Sequence, residues 1–205
     1  MTDTIGGVDV SRETIEALHV FAALVLKWTT KINLISAATR ADLWDRHIID
    51  SVQIYRHAPE KFNLWLDIGS GGGFPGIVAA IIGKQHTPAA KFILIESDQR
   101  KSAFLRNVVR ELALNASVSA VRIENVPSLG ADVVSARALG ALPVLLPLVA
   151  AHIADHGVAL LHKGRQAAKE IEDARKDWRF DLEEAPSLTD PEARILMIQR
   201  ISRAT

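Results

Sequence analysis

The apolar and polar positions of the chain change period several times, and each change marks an element. From Ser11 to Lys31 the apolar residues Ile15, Leu18, Phe21, Ala22, Val25 and Trp28 recur at helical spacing, with Ser11 placed to cap the first turn. A polar loop, Asn33 to Thr39, separates this helix from a second, Ala41 to His57, which carries Leu43, Trp44, Ile48, Val52 and Tyr55 on one side and stops before Pro59. Five-residue apolar runs then begin to alternate with helical patterns. Leu64 to Ile68 reads as a buried strand, Ile77 to Ile82 as a helix and Lys91 to Ile95 as a second strand. Arg100 to Leu114 reads as a helix capped by Asp98, and Val118 to Ile123 as a third strand. Asp132 to Ala136 is the fourth strand, Leu139 to His152 a helix entered through Pro143 with Pro147 as a kink, and Gly157 to Leu161 the fifth strand. A charged surface helix, Ala167 to Trp178, and two closing strands, Arg179 to Glu184 and Ile195 to Ile201, complete the chain. Strands alternating with helices predict an α/β fold with a mostly parallel, doubly wound sheet. The helices of residues 1–60 form an N-terminal extension packed on a single compact unit of residues 61–205.

The stretch Leu64 to Gly76 organises this pattern. A strand runs into five glycines within eight residues, Gly69 to Gly76, and then into a helix. Glycine admits positive φ and lets a ligand reach bare backbone, and a helix start offers unpaired N–H groups. Two cofactor readings fit. Gly71, Gly73 and Gly76 match the G-x-G-x-x-G dinucleotide fingerprint, which predicts an NAD-linked oxidoreductase. Gly69, Gly71 and Gly73, with Asp67 two residues earlier, match the D-x-G-x-G-x-G pattern of S-adenosylmethionine enzymes. Asp67 favours the second, because a carboxylate repels a pyrophosphate and attracts a sulfonium and an ammonium.

Composition narrows the chemistry. The 205 residues include no Cys, which excludes disulfides, thiol nucleophiles and thiolate metal sites. A hydrophobic content of 48% supports a substantial core, and there is no apolar run long enough to span a membrane. Residues Met1 to Val10 are polar and lack a signal-peptide pattern, so a cytoplasmic location is the default expectation. The 24 basic and 24 acidic side chains balance, so an RNA partner would be met by a local patch rather than by overall charge. No His, Asp or Glu cluster has metal-ligand spacing, and no metal is expected.

In doubly wound sheets the ligand lies beyond the carboxyl ends of the strands. That rule selects Asp67 to Phe74, Glu96 to Asp98, Ile123 to Asn125, Ser135 to Arg137 and His162 to Gly164. Glu96 is placed to accept both hydrogen bonds of a ribose diol, with Asp98 left to cap the following helix. Ile123 and Glu124 suit an adenine face and its amino group. Arg137 stands at the tip of the fourth strand, where a transferred group should emerge. It is a rigid donor for phosphate, carbonyl or guanine edges, or else the partner of a nearby acid. Lys163 lies on the same rim. Arg46, His47, Arg100, Lys101 and Arg165 are candidates for RNA contact, although each alone suits solvent, and His47 with Asp50 at i and i+3 suits a structural role.

Taken together, Asn33-Leu34-Ile35-Ser36, Arg46-His47-Ile48-Ile49-Asp50-Ser51, Leu66 to Gly76, Ser135-Ala136-Arg137-Ala138 and Lys163-Gly164 resemble the ribosomal RNA small subunit methyltransferase G (glucose-inhibited division protein B) family over nearly the whole chain. The resemblance implies a Rossmann-like methyltransferase fold and S-adenosylmethionine-dependent methylation of guanine N7 at one guanosine of 16S ribosomal RNA. It further implies cofactor contacts at Gly69, Phe74, Glu96, Ile123, Glu124 and Arg137, with Arg137 and Lys163 orienting the substrate. The expected partner is 16S ribosomal RNA or the small ribosomal subunit, met by a monomer. A small-molecule methyltransferase and a non-catalytic RNA-binding protein remain the alternatives, beside the oxidoreductase.

Overall fold

The computed structural model describes residues 2–204. A hairpin of β1 (Thr2–Ile5) and β2 (Val8–Ser11) opens the chain, in a stretch whose polar sequence gave no strand signal. Helix α1 (Arg12–Thr29) follows, with the Ser11 hydroxyl accepting from the Thr14 amide as the expected cap. The second helical stretch is shorter than its periodicity predicts. Trp44–Ile49 is wound as a π-helical turn that runs into α2 (Asp50–Tyr55). Such turns recur at functional sites, and this one carries His47 inward, while Arg46 stays exposed.

The sheet has seven strands. β3 (Leu64–Ile68) lies at the centre of its five parallel strands, with β4 (Lys91–Ile95) and β5 (Ala116–Ser119) on one side. On the other side are β6 (Ala131–Arg137), β7 (Ile153–Lys163), β9 (Arg194–Arg203) and β8 (Trp178–Pro186). β5, β4, β3, β6 and β7 are parallel, and the last two strands are antiparallel. The strand order reverses at β3, the switch point at which such sheets bind ligands.

Four elements depart from the pattern read in the sequence. β5 ends at Ser119, and Ile123–Asn125 forms a separate 3-10 turn instead of closing the third strand. β7 is eleven residues long, because pairing with β6 on one edge and β9 on the other extends it at both ends. The surface helix α6 (Ala167–Ala174) is shorter than read, and Trp178, read as its last residue, is buried in β8. Helix α5 (Leu142–His152) starts three residues late, with Pro143 in its first turn and Pro147 inside it.

Period-two alternation on β3 assigns the two faces. Trp65 packs with α1 to α4 (α3, Gly76–His86; α4, Gln99–Glu111), while Leu66 and Ile68 pack with α5 and α6 (Ala167–Ala174). The N-terminal elements share the first core: Leu18, Phe21 and Val25 of α1 and Ile48 and Val52 meet Ile77, Ile81 and Phe104 with essentially no exposure. Asp67 shares the Trp65 face, yet it is a carboxyl inside this core. Its Oδ1 accepts from Ser135 Oγ at 2.6 Å, and that hydroxyl in turn accepts from Trp65 Nε1 at 2.8 Å.

Helix α3 begins against this buried carboxyl. A Cβ added to Gly76 would lie 2.5 Å from Asp67 Oδ2 and 2.7 Å from its Cβ and Cγ, atoms held in the central strand. The variant Gly76→Ala is therefore expected to lose about 1–3 kcal/mol of stability despite the higher helix propensity of alanine. Urea unfolding of both proteins checks this, and an unchanged or raised midpoint contradicts it.

Candidate cofactor and substrate site

The turn between β3 and α3 is tied to the neighbouring strand. The Gly69 and Ser70 amides donate to the Ile95 carbonyl at the end of β4, at 2.9 and 3.0 Å. Glu96, the next residue, then grips the turn itself: its Oε2 accepts from the Gly71 amide and its Oε1 from the Asp98 amide, both at 2.8 Å. Asp98 caps α4 through Arg100 N and Lys101 N, as its position predicts. Each Glu96 oxygen keeps a further lone pair for a ligand.

A cavity of about 510 Å³ opens over this turn, within the range of small-molecule sites. Gly69, Ser70, Gly71 and Gly72 form its floor. Glu96, Ile123, Glu124 and Lys101 stand on one side, and Phe74, Arg137, Leu139 and Leu145 on the other. Leu139 folds over Gly69 so closely that a Cβ there would lie 2.6 Å from its Cδ1. The wall combines the carboxylates of Glu96 and Glu124 and the cations of Lys101, Arg122 and Arg137 with apolar side chains, which suits a ligand with a flat ring and a diol. Of the nine residues assigned to the cofactor from sequence, seven lie on this wall.

Asp67 and Gly73 do not. Gly73, at φ +93°, makes the turn possible but faces α1, where a Cβ would meet Phe21 at 3.0 Å. Asp67 is 1% exposed beneath the turn, so its carboxylate does not reach a ligand by contact as the charge argument expected. Burial pushes its pKa up to about 6, against the hydrogen bond from Ser135.

Arg137 ends β6 and meets the N-terminal helices. Its guanidinium donates to Asp50 Oδ2 at 3.0 Å, to the Arg46 carbonyl at 3.3 Å and to His47 Nδ1 at 2.9 Å, and lies 5.1 Å from the centre of the Phe74 ring. Of the two readings of Arg137, the geometry realises the one paired with an acid. Because arginine only donates, His47 Nδ1 is the acceptor and Nε2 carries the proton toward Thr39 Oγ1 at 2.9 Å. Burial, then the Arg137 charge, lowers the His47 pKa to about 4 and keeps the ring neutral. His47 is an interior bridge rather than part of an RNA-facing surface.

Asp50 is the junction. Its Oδ1 accepts from Gln53 Nε2 and Thr189 Oγ1, each at 2.8 Å, and its carbonyl accepts from His162 Nε2 at 2.7 Å. Burial would push its carboxyl up; His162, Arg137 and the Thr189 hydrogen bond outweigh this and hold it below its ordinary value. Burial also pushes His162 down, so near neutral pH the cation facing Asp50 is Arg137.

Lys163 is 6% exposed. It pairs with Glu170 at 2.9 Å and donates to the Gly140 carbonyl, while Glu170 accepts from the Leu142 amide at 2.8 Å. The geometry makes it a clamp on the Ala138–Ala141 loop. Among the other basic candidates, Arg46 lies 3.5 Å from Asp190, Arg165 pairs with Glu192, and Lys101 lines the cavity, whereas Arg100 is exposed away from it. Asp50, Leu139 and Glu170 were not among the site residues read from the sequence. Only Asp50 gave a signal, through its i, i+3 spacing from His47.

The raised pKa of Asp67 sets a pH dependence. The folded state holds the proton between pH 3.8 and about 6 while the unfolded chain releases it. The contribution is therefore complete below pH 3.8 and is lost as pH rises through about 6. The stability difference between wild type and Asp67→Asn should fall by on the order of 1–3 kcal/mol across that window and stay level above it. Urea unfolding at stepped pH measures it, and a difference that does not vary with pH contradicts the assignment.

A family model described as rRNA small subunit methyltransferase G matches residues 14–196. The chain is 51% identical over 195 residues to Ribosomal RNA small subunit methyltransferase G of Cereibacter sphaeroides, covering 95% of both chains. It is 49% identical to that of Ruegeria pomeroyi, covering 96% of both. Among solved structures, M. jannaschii TYW2 in complex with AdoMet superposes with a TM-score of 0.57 at 12% identity, over 86% of this chain and 80% of that one. A TehB-like SAM-dependent methyltransferase from Corynebacterium glutamicum gives 0.57 at 13% identity, over 91% and 99%. The structures share the fold, the curated relatives align end to end, and the chain belongs to the rRNA small subunit methyltransferase G family.

Proposed function

We propose that this enzyme methylates N7 of one guanosine in 16S ribosomal RNA, using S-adenosylmethionine bound over the glycine turn. The observation that carries the reading is the extent of the family match. Residues 14–196 include every residue that lines the cavity and the whole network around Arg137.

The residues present fit the cofactor, which supplies an electrophilic methyl group carried on a sulfonium. Glu96, already oriented by the Gly71 and Asp98 amides, would hold the ribose hydroxyls through its remaining lone pairs. Ile123 would pack on the adenine and Glu124 lie beside its amino group. The Gly69–Gly72 backbone would follow the ligand closely. Guanine N7 has an in-plane lone pair and no proton, so its methylation needs no general base. The protein's task is alignment at near-attack distance. The site agrees with that demand: Arg137 is locked on three acceptors, and the neutral His47 spends its acceptor nitrogen on Arg137. The proposal includes the small ribosomal subunit or its RNA as substrate, a monomeric enzyme and a cytoplasmic setting. Among the described residues no helix is long and apolar enough to cross a membrane.

Methyl transfer from radiolabelled S-adenosylmethionine to small subunits from a strain lacking the gene tests this reading. The expected result is label in a single guanosine, recovered as N7-methylguanine. Cofactor binding without label in RNA would contradict it and move the small-molecule reading forward.

A further inference from the structure

On the far side of Arg137 from the glycine turn lies a second cavity, of about 300 Å³. Arg137 and Ala138 belong to the walls of both cavities, so the two spaces meet at the strand tip. The second is polar. Arg46, Arg137 and Lys163 contribute three cations, and Asp50, Glu170 and Asp190 contribute three anions, with His162 held neutral by burial. A balanced lining of this kind is poorly suited to a phosphate, which needs an excess of positive charge. It suits an uncharged ring that presents both donors and acceptors, and the volume is at the small end of ligand pockets.

We propose that this cavity receives the acceptor guanine and that Glu170 selects it by accepting a hydrogen bond from the exocyclic 2-amino group. The inference rests on the guanine-methylating reading above. The 2-amino group and N7 lie at opposite ends of the purine. A base seated with its amino end against Glu170 therefore directs N7 toward Arg137 and Ala138, the wall shared with the cofactor cavity. Glu170 is prepared for the task. Its Oε2 is fixed by Lys163 and by the Leu142 amide, while its Oε1 accepts nothing from the described residues. The side chain keeps 20% of its surface exposed in the cavity wall. The same two bonds fix the partition between the cavities. Lys163 holds the Gly140 carbonyl and Glu170 the Leu142 amide, on either side of a loop that begins at Ala138 with φ +53°. Glu170 is thus a specificity-determining residue and the partition's anchor at once.

The test separates these roles. Small subunits are assembled on 16S RNA carrying either guanosine or inosine, which lacks only the 2-amino group, at the methylated position. Wild type and Glu170→Gln are compared on both, together with the dissociation constant for S-adenosylmethionine. Wild type should prefer guanosine by about 10–100-fold in kcat/KM, the worth of a hydrogen bond to a charged group. Glu170→Gln keeps an acceptor oxygen for Leu142. It should bring the guanosine-to-inosine ratio near one while changing cofactor affinity by less than about twofold. A wild-type ratio retained in Glu170→Gln, even with reduced turnover, would make Glu170 an anchor only and overturn the proposal. A wild-type ratio near one would overturn it without reference to the variant, so a Glu170→Gln protein that fails to fold leaves the proposal decidable. Absence of label from the guanosine substrate itself would instead overturn the underlying reading.

Discussion

The buried pairing of Asp50 with Arg137 joins the N-terminal helices to the tip of β6. Asp50 begins α2, and Arg137 ends the strand next to the central one, 87 residues later. Their side chains are 14% and 17% exposed. Breaking one side of such a pair typically costs about 3–5 kcal/mol, because the other charge is left buried. Gln53, Thr189 and His162 complete the shell around Asp50, bringing in the loop between the last two strands and the tip of β7. Three segments far apart in sequence thus converge on one residue, Asp50, beside the wall shared by the two cavities.

The glycine turn depends on a different constraint, the close approach of backbone to a buried acid. Asp67 lies under α3 with a Ser135 hydrogen bond on one oxygen and the Gly76 position pressed against the other. Glu96 does by contact what Asp67 does not: it holds the turn's amide from the next strand and lines the cavity. A strand-end acid therefore shapes the floor of the cavity as well as lining its wall.

Much of this was legible in the sequence because it is local. The strand–turn–helix unit, the Ser11 and Asp98 caps and the succession of buried strands follow from periodicity and from side chains that bond within a few residues. Seven of the nine assigned cofactor residues were placed on the cavity by the rule that ligands sit beyond strand ends. What the sequence hid is pairing at long range. Glu170 stands in a helix whose other charged residues face solvent, and nothing local marks its bond to Lys163. The partners of Arg137 and Lys163 could not be named from sequence, because Asp50, His47 and Gly140 are brought in by the fold. The extent of β7 and the burial of Trp178 are likewise set by neighbouring strands.

The central claim is that the Asp50–Arg137 pair holds the N-terminal helices to the strand tip. A double-mutant cycle measures it most directly, with Asp50→Asn, Arg137→Gln and the double variant compared with wild type by urea unfolding at neutral pH. The account predicts that each single change destabilises strongly and that the two are far from additive, with a coupling energy of about 2 kcal/mol or more. Additive effects within about 0.5 kcal/mol would show that the two residues stabilise the fold independently and would contradict the account.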